Sequence, residues 1–289
     1  MWQAFSCARG LASLHNRIEL VDAHCHLDLE HFAEGADAVL DRAHAAGVIG
    51  CIVVGVGSDL GSAHQSIELA RRRPGQVGAC VAVHPEDAST YDDAVEAELR
   101  TLIAAPEVVA VGETGLDYHY VDGPPRETQR MVFARIIELA RNANKPIVVH
   151  TREAAADTLE LLDRCQARDV GGIIHCFSED RDFARRALDL GFDLSFSGIV
   201  TFKSARSVAD VAGWAPVERI LVETDSPYLA PAPFRGKRCE PAYVEYTASH
   251  VARLRGVNCG EIAEITTANA ERRFSKEFAR TSRSVMKEI

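Results

Sequence analysis

Val108-Val109-Ala110-Val111-Gly112-Glu113 is an apolar, β-branched run of strand length that ends on a carboxylate. An amphipathic segment over 125–143 follows it. Then comes Pro146-Ile147-Val148-Val149-His150, a second apolar run, which ends on an imidazole. A buried strand, a helix and another buried strand make the βαβ unit of a parallel sheet. The alternation continues in both directions. Apolar runs fall at 18–24, 49–55, 77–84, 108–113, 146–150, 172–175, 192–197 and 220–225. Helical patterns lie near 35–46, 61–73, 91–104, 125–143, 152–168, 179–189, 203–213 and 241–255, with one more near 259–272. Gly47 and Gly191 stand where helices end. Eight strand–helix units without a break in composition predict an α/β fold, a single (β/α)8 TIM-like barrel. A doubly wound open sheet is the alternative. No GxGxxG follows the first run, and the Gly55-Val56-Gly57 turn alone is a weak sign of one. The barrel is assigned residues 18–274, with 1–17 as a flexible N-terminal extension and 275–289 as a polar, frayed helical tail.

The 289 residues are 47% hydrophobic and 26% charged, which excludes disordered and collagen-like classes. No apolar run approaches the ~20 residues that span a bilayer. The first 17 residues hold Arg9 and Arg17 and no acidic residue, but their apolar stretch is too short for a signal h-region. The net charge of −10 argues against an extensive basic surface for nucleic acid, while leaving room for a local patch. The 8 Cys include no CxxC pair, and most sit in apolar runs. They read as reduced, buried thiols in a reducing compartment, not as disulfides or thiolate zinc sites. The expectation is a cytoplasmic protein with no membrane partner and no obligate protein partner.

Metal-ligand residue types collect at the ends of the runs. In Asp22-Ala23-His24-Cys25-His26, strand alternation puts His24 and His26 on one face. Glu113, His150, His175 and Asp225 each close a run. In a parallel barrel these ends open on one face, where catalytic residues lie. Charges and imidazoles beside apolar strands are costly unless compensated, and bound cations compensate them. Four imidazoles and two carboxylates exceed what one tetrahedral ion takes up. Two divalent ions sharing a carboxylate account for them, with Glu113 as the natural bridge. The mixed N/O donors suit Zn, Mn, Co or Fe better than Mg.

These residues carry a family resemblance. The chain resembles TatD-type metal-dependent deoxyribonucleases of the metal-dependent hydrolase superfamily. The similar segments are Val21-Asp22-Ala23-His24-Cys25-His26-Leu27-Asp28, Val83-His84-Pro85, Gly112-Glu113-Thr114-Gly115-Leu116-Asp117-Tyr118, Val149-His150-Thr151-Arg152 and His175-Cys176-Phe177-Ser178. They continue with Ser197-Gly198-Ile199-Val200-Thr201-Phe202, Glu223-Thr224-Asp225-Ser226-Pro227-Tyr228 and Thr267-Ala268-Asn269-Ala270. The resemblance implies that His24, His26, Glu113 and Asp225 hold one ion, and Glu113, His150 and His175 the other. It implies Asp225 as general base, and His84 as a group that binds or polarises the scissile phosphate. It further implies a 3′→5′ exonuclease on single-stranded or damaged DNA. Thr114 and Cys239 depart from the family pattern, and neither is a proposed ligand.

Cations just after the strand ends, Arg152, Lys203, Arg235, Lys237 and Arg238, are the candidate phosphate contacts. Phe177, Phe202 and Tyr228 are candidates to stack on unpaired bases. A second reading is carbonyl chemistry at the same two-metal site, with D-aminoacyl-tRNA deacylation or amide hydrolysis as examples and tRNA as the partner. A third is a non-enzymatic interaction protein with a vestigial site. That reading predicts a missing ligand, and none is missing.

Overall fold

In a computed structural model, which describes residues 18–280 except 29 and 58, the eight apolar runs become eight parallel strands in sequential order. They are β1 (Leu20–Cys25), β2 (Val48–Gly55), β3 (Val77–Val81), β4 (Val108–Asp117), β5 (Ile147–Arg152), β6 (Gly172–Ile174), β7 (Phe192–Phe196) and β8 (Ile220–Val222). The helices are α1 (Ala36–Ala45), α2 (Gly61–Arg72), α3 (Asp93–Ile103), α4 (Arg126–Ala143), α5 (Ala155–Arg164), α6 (Arg181–Asp189), α7 (Arg206–Trp214), α8 (Val244–Arg255) and α9 (Cys259–Phe274). Residues 1–17 and 281–289, and with them the N-terminal extension and the end of the tail, lie outside the described residues.

The ring closes where it matters for the site. His26 N donates to Ser226 O at 2.7 Å and Asp225 N to His24 O at 3.0 Å, so β1 and the residues after β8 are tied side by side. Local chemistry sets the helix ends. The side chains of Asp92, Asp180 and Asn258 accept from backbone N–H groups at the starts of α3, α6 and α9. Gly47 and Gly191 take φ 98° and 89° and end α1 and α6, as their spacing predicts.

The core has two layers. Leu20, Val53, Val81, Val111, Val149, Leu194 and Val222 face the helices. Val21, Ala23, Ile52, Cys80, Ala110, Val148, Ile173 and Leu221 fill the barrel interior. Phe274 and Phe278 join this inner cluster. The expectation of a frayed tail from Ser275 is therefore corrected over 275–280. Phe278 is 4% exposed, and Ala279 N donates to Gly75 O at 2.9 Å. A single aromatic in a polar stretch supplies that anchor. Cys25, Cys51, Cys80 and Cys239 are buried free thiols. Among the described residues no helix is long and apolar enough to cross a membrane.

Strict alternation would aim several site residues the wrong way. Ala23 and Ala110 face the interior, so His24, His26 and Glu113 would fall on the helix side. Two register irregularities correct this. One lies between Asp22 and Cys25 in the β1–β2 pairing. The other lies between Gly112 and Thr114 in β4–β5, leaving Glu113 as the extra residue. Bulges of this kind re-aim a side chain beside an active site. Gly115 is needed just beyond, since a Cβ there would lie 2.0 Å from His150 O. A side chain at 115 would push β5, and His150 with it, away from Glu113.

Candidate active site

Glu113 is the centre of the mouth, 4% exposed, with its two oxygens turned to two groups. On one side, Oε2 lies 3.3 Å from His24 Nε2 and 3.5 Å from His26 Nε2. Those two nitrogens are 3.2 Å apart, and each is 3.7 Å from Asp225 Oδ1. On the other side, Oε1 lies 2.8 Å from His150 Nδ1, 2.7 Å from His175 Nε2 and 3.4 Å from His84 Nε2. The fold thus brings together all six residues that sequence singled out as ligands, with His84 beside them.

The spacing tests whether cations fit. Four donors around one ion at 2.0–2.1 Å stand about 3.3 Å from one another. The His24, His26, Glu113 and Asp225 set lies close to that spacing. The Glu113, His150 and His175 set is tighter, at hydrogen-bond distance, and is held by shared protons. Both sets have the donor chemistry of a divalent site.

The electrostatics say the same. Burial drives the Glu113 carboxyl upward, but His175, His84 and His150 outweigh it and hold the group well below its ordinary range. His175 is buried too, yet Glu113 and Glu223 hold its imidazole well above the usual value. His150 is raised against burial by Asp117 and Glu113. His26 is raised against burial by Glu113 and Asp225. The carboxylates of the cluster thus favour positive charge at its centre. His24 is the exception, since burial pushes it down to about 4 and leaves a neutral ring with a free lone pair. Burial pushes Asp225 up to about 7, with His175 and His26 acting against that rise.

Three carboxylates with no role in the sequence reading support this cluster. Asp117 Oδ2 sits 3.0 Å from His150 Nε2, so the ring is held from behind while Nδ1 faces Glu113. Glu223 Oε1 lies 3.4 Å from His175 Nδ1 and accepts from Cys176 N at 2.6 Å. Asp22 accepts from Thr224 N at 2.9 Å and from the Thr224 hydroxyl, which pins the segment carrying Asp225 to β1. Partners of this sort fix ring orientation and raise ligand basicity. A carboxylate in Gly-Leu-Asp or Glu-Thr-Asp, flush with an apolar strand, was the available signal.

A cavity of about 1340 Å³ opens over the cluster and includes His26, His84, Glu113, His150, His175 and Asp225 in its wall. Arg152 and the half-exposed Tyr120 and Tyr228 also line it. The Arg152 guanidinium lies over the Tyr120 ring, 5.3 Å from its centroid. The other candidate substrate contacts do not line the cavity. Phe202 lies under the Arg235 guanidinium, at 3.9 Å. Lys203 and Lys237 are exposed outside the cavity wall. Arg238 is already committed, with Glu34 Oε1 at 2.6 Å and His31 O at 2.8 Å. Cys239 is buried, and its N–H donates to Pro227 O.

Phe177 is a correction. It is 1% exposed and packs against Phe183 and Phe196, with ring centroids at 6.2 and 5.7 Å. Cys176 takes a left-handed φ of 45°, and Phe177 N bonds to Ser195 O, so the ring turns into the core. It cannot stack on a base. Phe177→Ala is expected to destabilise the protein by roughly 3–5 kcal/mol, the cost of emptying an aromatic core position. A urea titration with a lowered midpoint and unchanged slope checks this.

Similarity to known proteins bears on the family and the fold. A family model described as TatD related DNase matches residues 21–275. An Escherichia coli K12 protein named uncharacterized metal-dependent hydrolase YcfH is 46% identical over 264 residues, covering 90% of this chain and 97% of that one. A Mycobacterium tuberculosis protein named uncharacterized metal-dependent hydrolase TatD is 42% identical over 270 residues, covering 90% and 100%. Among solved structures, the TatD homolog YjjV of Escherichia coli superposes with a TM-score of 0.83 at 27% identity, covering 90% of this chain and 99% of that one.

Proposed function

Because the chain belongs to the TatD family of metal-dependent hydrolases, we propose that its barrel mouth hydrolyses DNA phosphodiester bonds, as a 3′→5′ exonuclease on single-stranded or damaged strands. The observation that carries this is the donor cluster around Glu113 at the floor of an open cavity that also presents Arg152, Tyr120 and Tyr228. The cavity exceeds the ~300–1,000 Å³ typical of small-ligand sites. A cation and exposed rings beside the cluster suit a charged, stacked polymer better than a small neutral amide.

His24, His26, Glu113 and Asp225 would hold one cation, and Glu113, His150 and His175 a second. Mixed imidazole and carboxylate donors suit Zn, Mn, Co or Fe over Mg. Such cations supply Lewis-acid activation of water and neutralise charge on the phosphoryl oxygens.

The chain's own groups do the rest. Glu86 N–H donates to His84 Nδ1 at 3.3 Å, so the neutral ring carries its proton on Nε2. His84 is thereby a hydrogen-bond donor aimed into the cluster, suited to a phosphoryl oxygen. The Asp225 carboxylate accepts the proton of the attacking water. Asp117 and Glu223 keep His150 and His175 facing Glu113. Arg152 meets a flanking phosphate.

End-labelled single-stranded DNA, incubated with metal-loaded protein, is expected to shorten stepwise from its 3′ end. Prior EDTA treatment is expected to abolish this. Raising salt from about 50 to 200 mM is expected to weaken it, since phosphate contacts release counterions. No shortening with Mg, Mn, Co or Zn would overturn the nuclease reading and leave aminoacyl-ester or amide hydrolysis at the same site.

A further inference from the structure

A ring cluster lies beyond the cavity wall. Phe234 stacks on Tyr243, with centroids 4.2 Å apart and planes at 9°. Tyr246 meets Phe234 edge-on at 4.9 Å and 86°, and is itself 38% exposed. Phe234 belongs to the loop after β8, whereas Tyr243 and Tyr246 lie at the start of α8, on the rim where the strand ends open. Tyr246 gives this rim cluster exposed ring area.

Two cations share the loop. Neither Arg235 nor Lys237 pairs with a carboxylate among the described residues. Arg235 lies over Phe202 and Lys237 over Phe234, with Nζ 5.9 Å from the ring centroid. The neighbouring carboxylates are already neutralised, Glu240 by Arg42 at 2.6 Å and Glu34 by Arg238 at 2.6 Å. In a protein with a net charge of −10, cations without a carboxylate partner beside partly exposed rings form a local exception.

The cluster is joined to the cavity. Ile199 and Leu229 line the cavity wall. Two and five residues further along their loops stand Thr201 and Phe234. Thr201 Oγ1 accepts from Ala232 N at 2.9 Å, so the turn after β7 and the loop carrying Phe234 form one packed ridge.

We propose that Phe234, Tyr243 and Tyr246, with Arg235 and Lys237, form an outer platform for single-stranded DNA, on which unpaired bases stack while the chain end lies in the cavity. The proposal rests on the DNA-hydrolysing reading above. Stacking on ring faces is tolerant of sequence, and cations beside the rings meet the backbone phosphates. Such a platform makes affinity rise with strand length beyond what the cavity alone contacts.

The test measures binding separately from cleavage. Fluorescein-labelled oligothymidylate of twelve nucleotides is titrated with metal-free protein in EDTA, and anisotropy is read. Tyr246→Ala and Phe234→Ala are each expected to raise Kd roughly tenfold, the order supplied by one base–aromatic stack. Tyr246→Phe is expected to keep the wild-type value, and Lys237→Glu to weaken binding and flatten its salt dependence. Equal Kd values for the wild type and both alanine variants would overturn the platform. So would absence of binding by the wild type, or tighter binding of tRNA lost in the same variants. DNA shortening by the metal-loaded wild type decides the nuclease reading independently of these results.

Discussion

Glu113→Gln is expected to lower hydrolytic turnover by at least about 10³-fold, above the 10²–10³-fold cost of deleting a single electrostatic donor from an active site. The reason is its place between two groups of candidate metal ligands. One oxygen faces His24 and His26, and the other faces His150 and His175. An amide keeps the shape but offers one weak acceptor and an N–H₂ where the second lone pair was. One half of the cluster therefore loses its oxygen donor and the other keeps only a weaker, uncharged one, and metal content measured on the purified variant is expected to fall below one ion per chain. Stability moves less than turnover. Removing the carboxylate takes away one of the charges that raise His175 and His150, so both imidazoles move back toward their ordinary range while Glu223 and Asp117 still face them. A variant retaining a full metal complement and turnover within tenfold of the wild type would remove Glu113 from the centre of the site.

The same residue shows how far the sequence could be read. Apolar runs ending on ligand types were enough for the barrel, because a parallel strand buried on both faces has few other sequence patterns. They were also enough to bring His24, His26, Glu113, His150, His175 and Asp225 to one mouth. Side-chain direction was not legible. Period-2 alternation from Ala110 aims Glu113 at the helices, and only the extra residue in β4 turns it inward. A bulge depends on how two strands pair, which local sequence does not encode. The error at Phe177 has a similar origin. Sequence makes it a candidate for stacking, whereas the left-handed turn at Cys176 sends it into the core. Asp117 and Glu223 were in view within their motifs. Their part emerged only when the ring nitrogens they face were placed.

Asp225→Asn is the complementary experiment, because it separates chemistry from assembly. Asn tolerates the left-handed φ of 55° found at this position. The backbone bonds from Asp225 N to His24 O and from Tyr228 N to Asp225 O do not involve the side chain. The variant should therefore fold, and lose about 10²–10⁴-fold in turnover, the range attributed to a positioned general base. The pH dependence carries a definite sign. The base must be ionised, and burial lifts its carboxyl to about 7 in the metal-free protein, so wild-type turnover falls as pH drops. Bound cations would move that limb lower, and the variant's residual rate should lack it. Stability of the metal-free protein gives an independent reading. Between the ordinary 3.8 and about 7 the folded state holds a proton that the unfolded chain has released. The wild type therefore loses stability relative to Asp225→Asn as pH rises through that window. Urea midpoints of both proteins near each end of the window measure the difference. If that slope appears and turnover collapses, the carboxyl is buried as described and also moves the proton. If the slope appears while turnover stays within tenfold of wild type, Asp225 is a buried acid that holds the site together, and another group takes the proton from water.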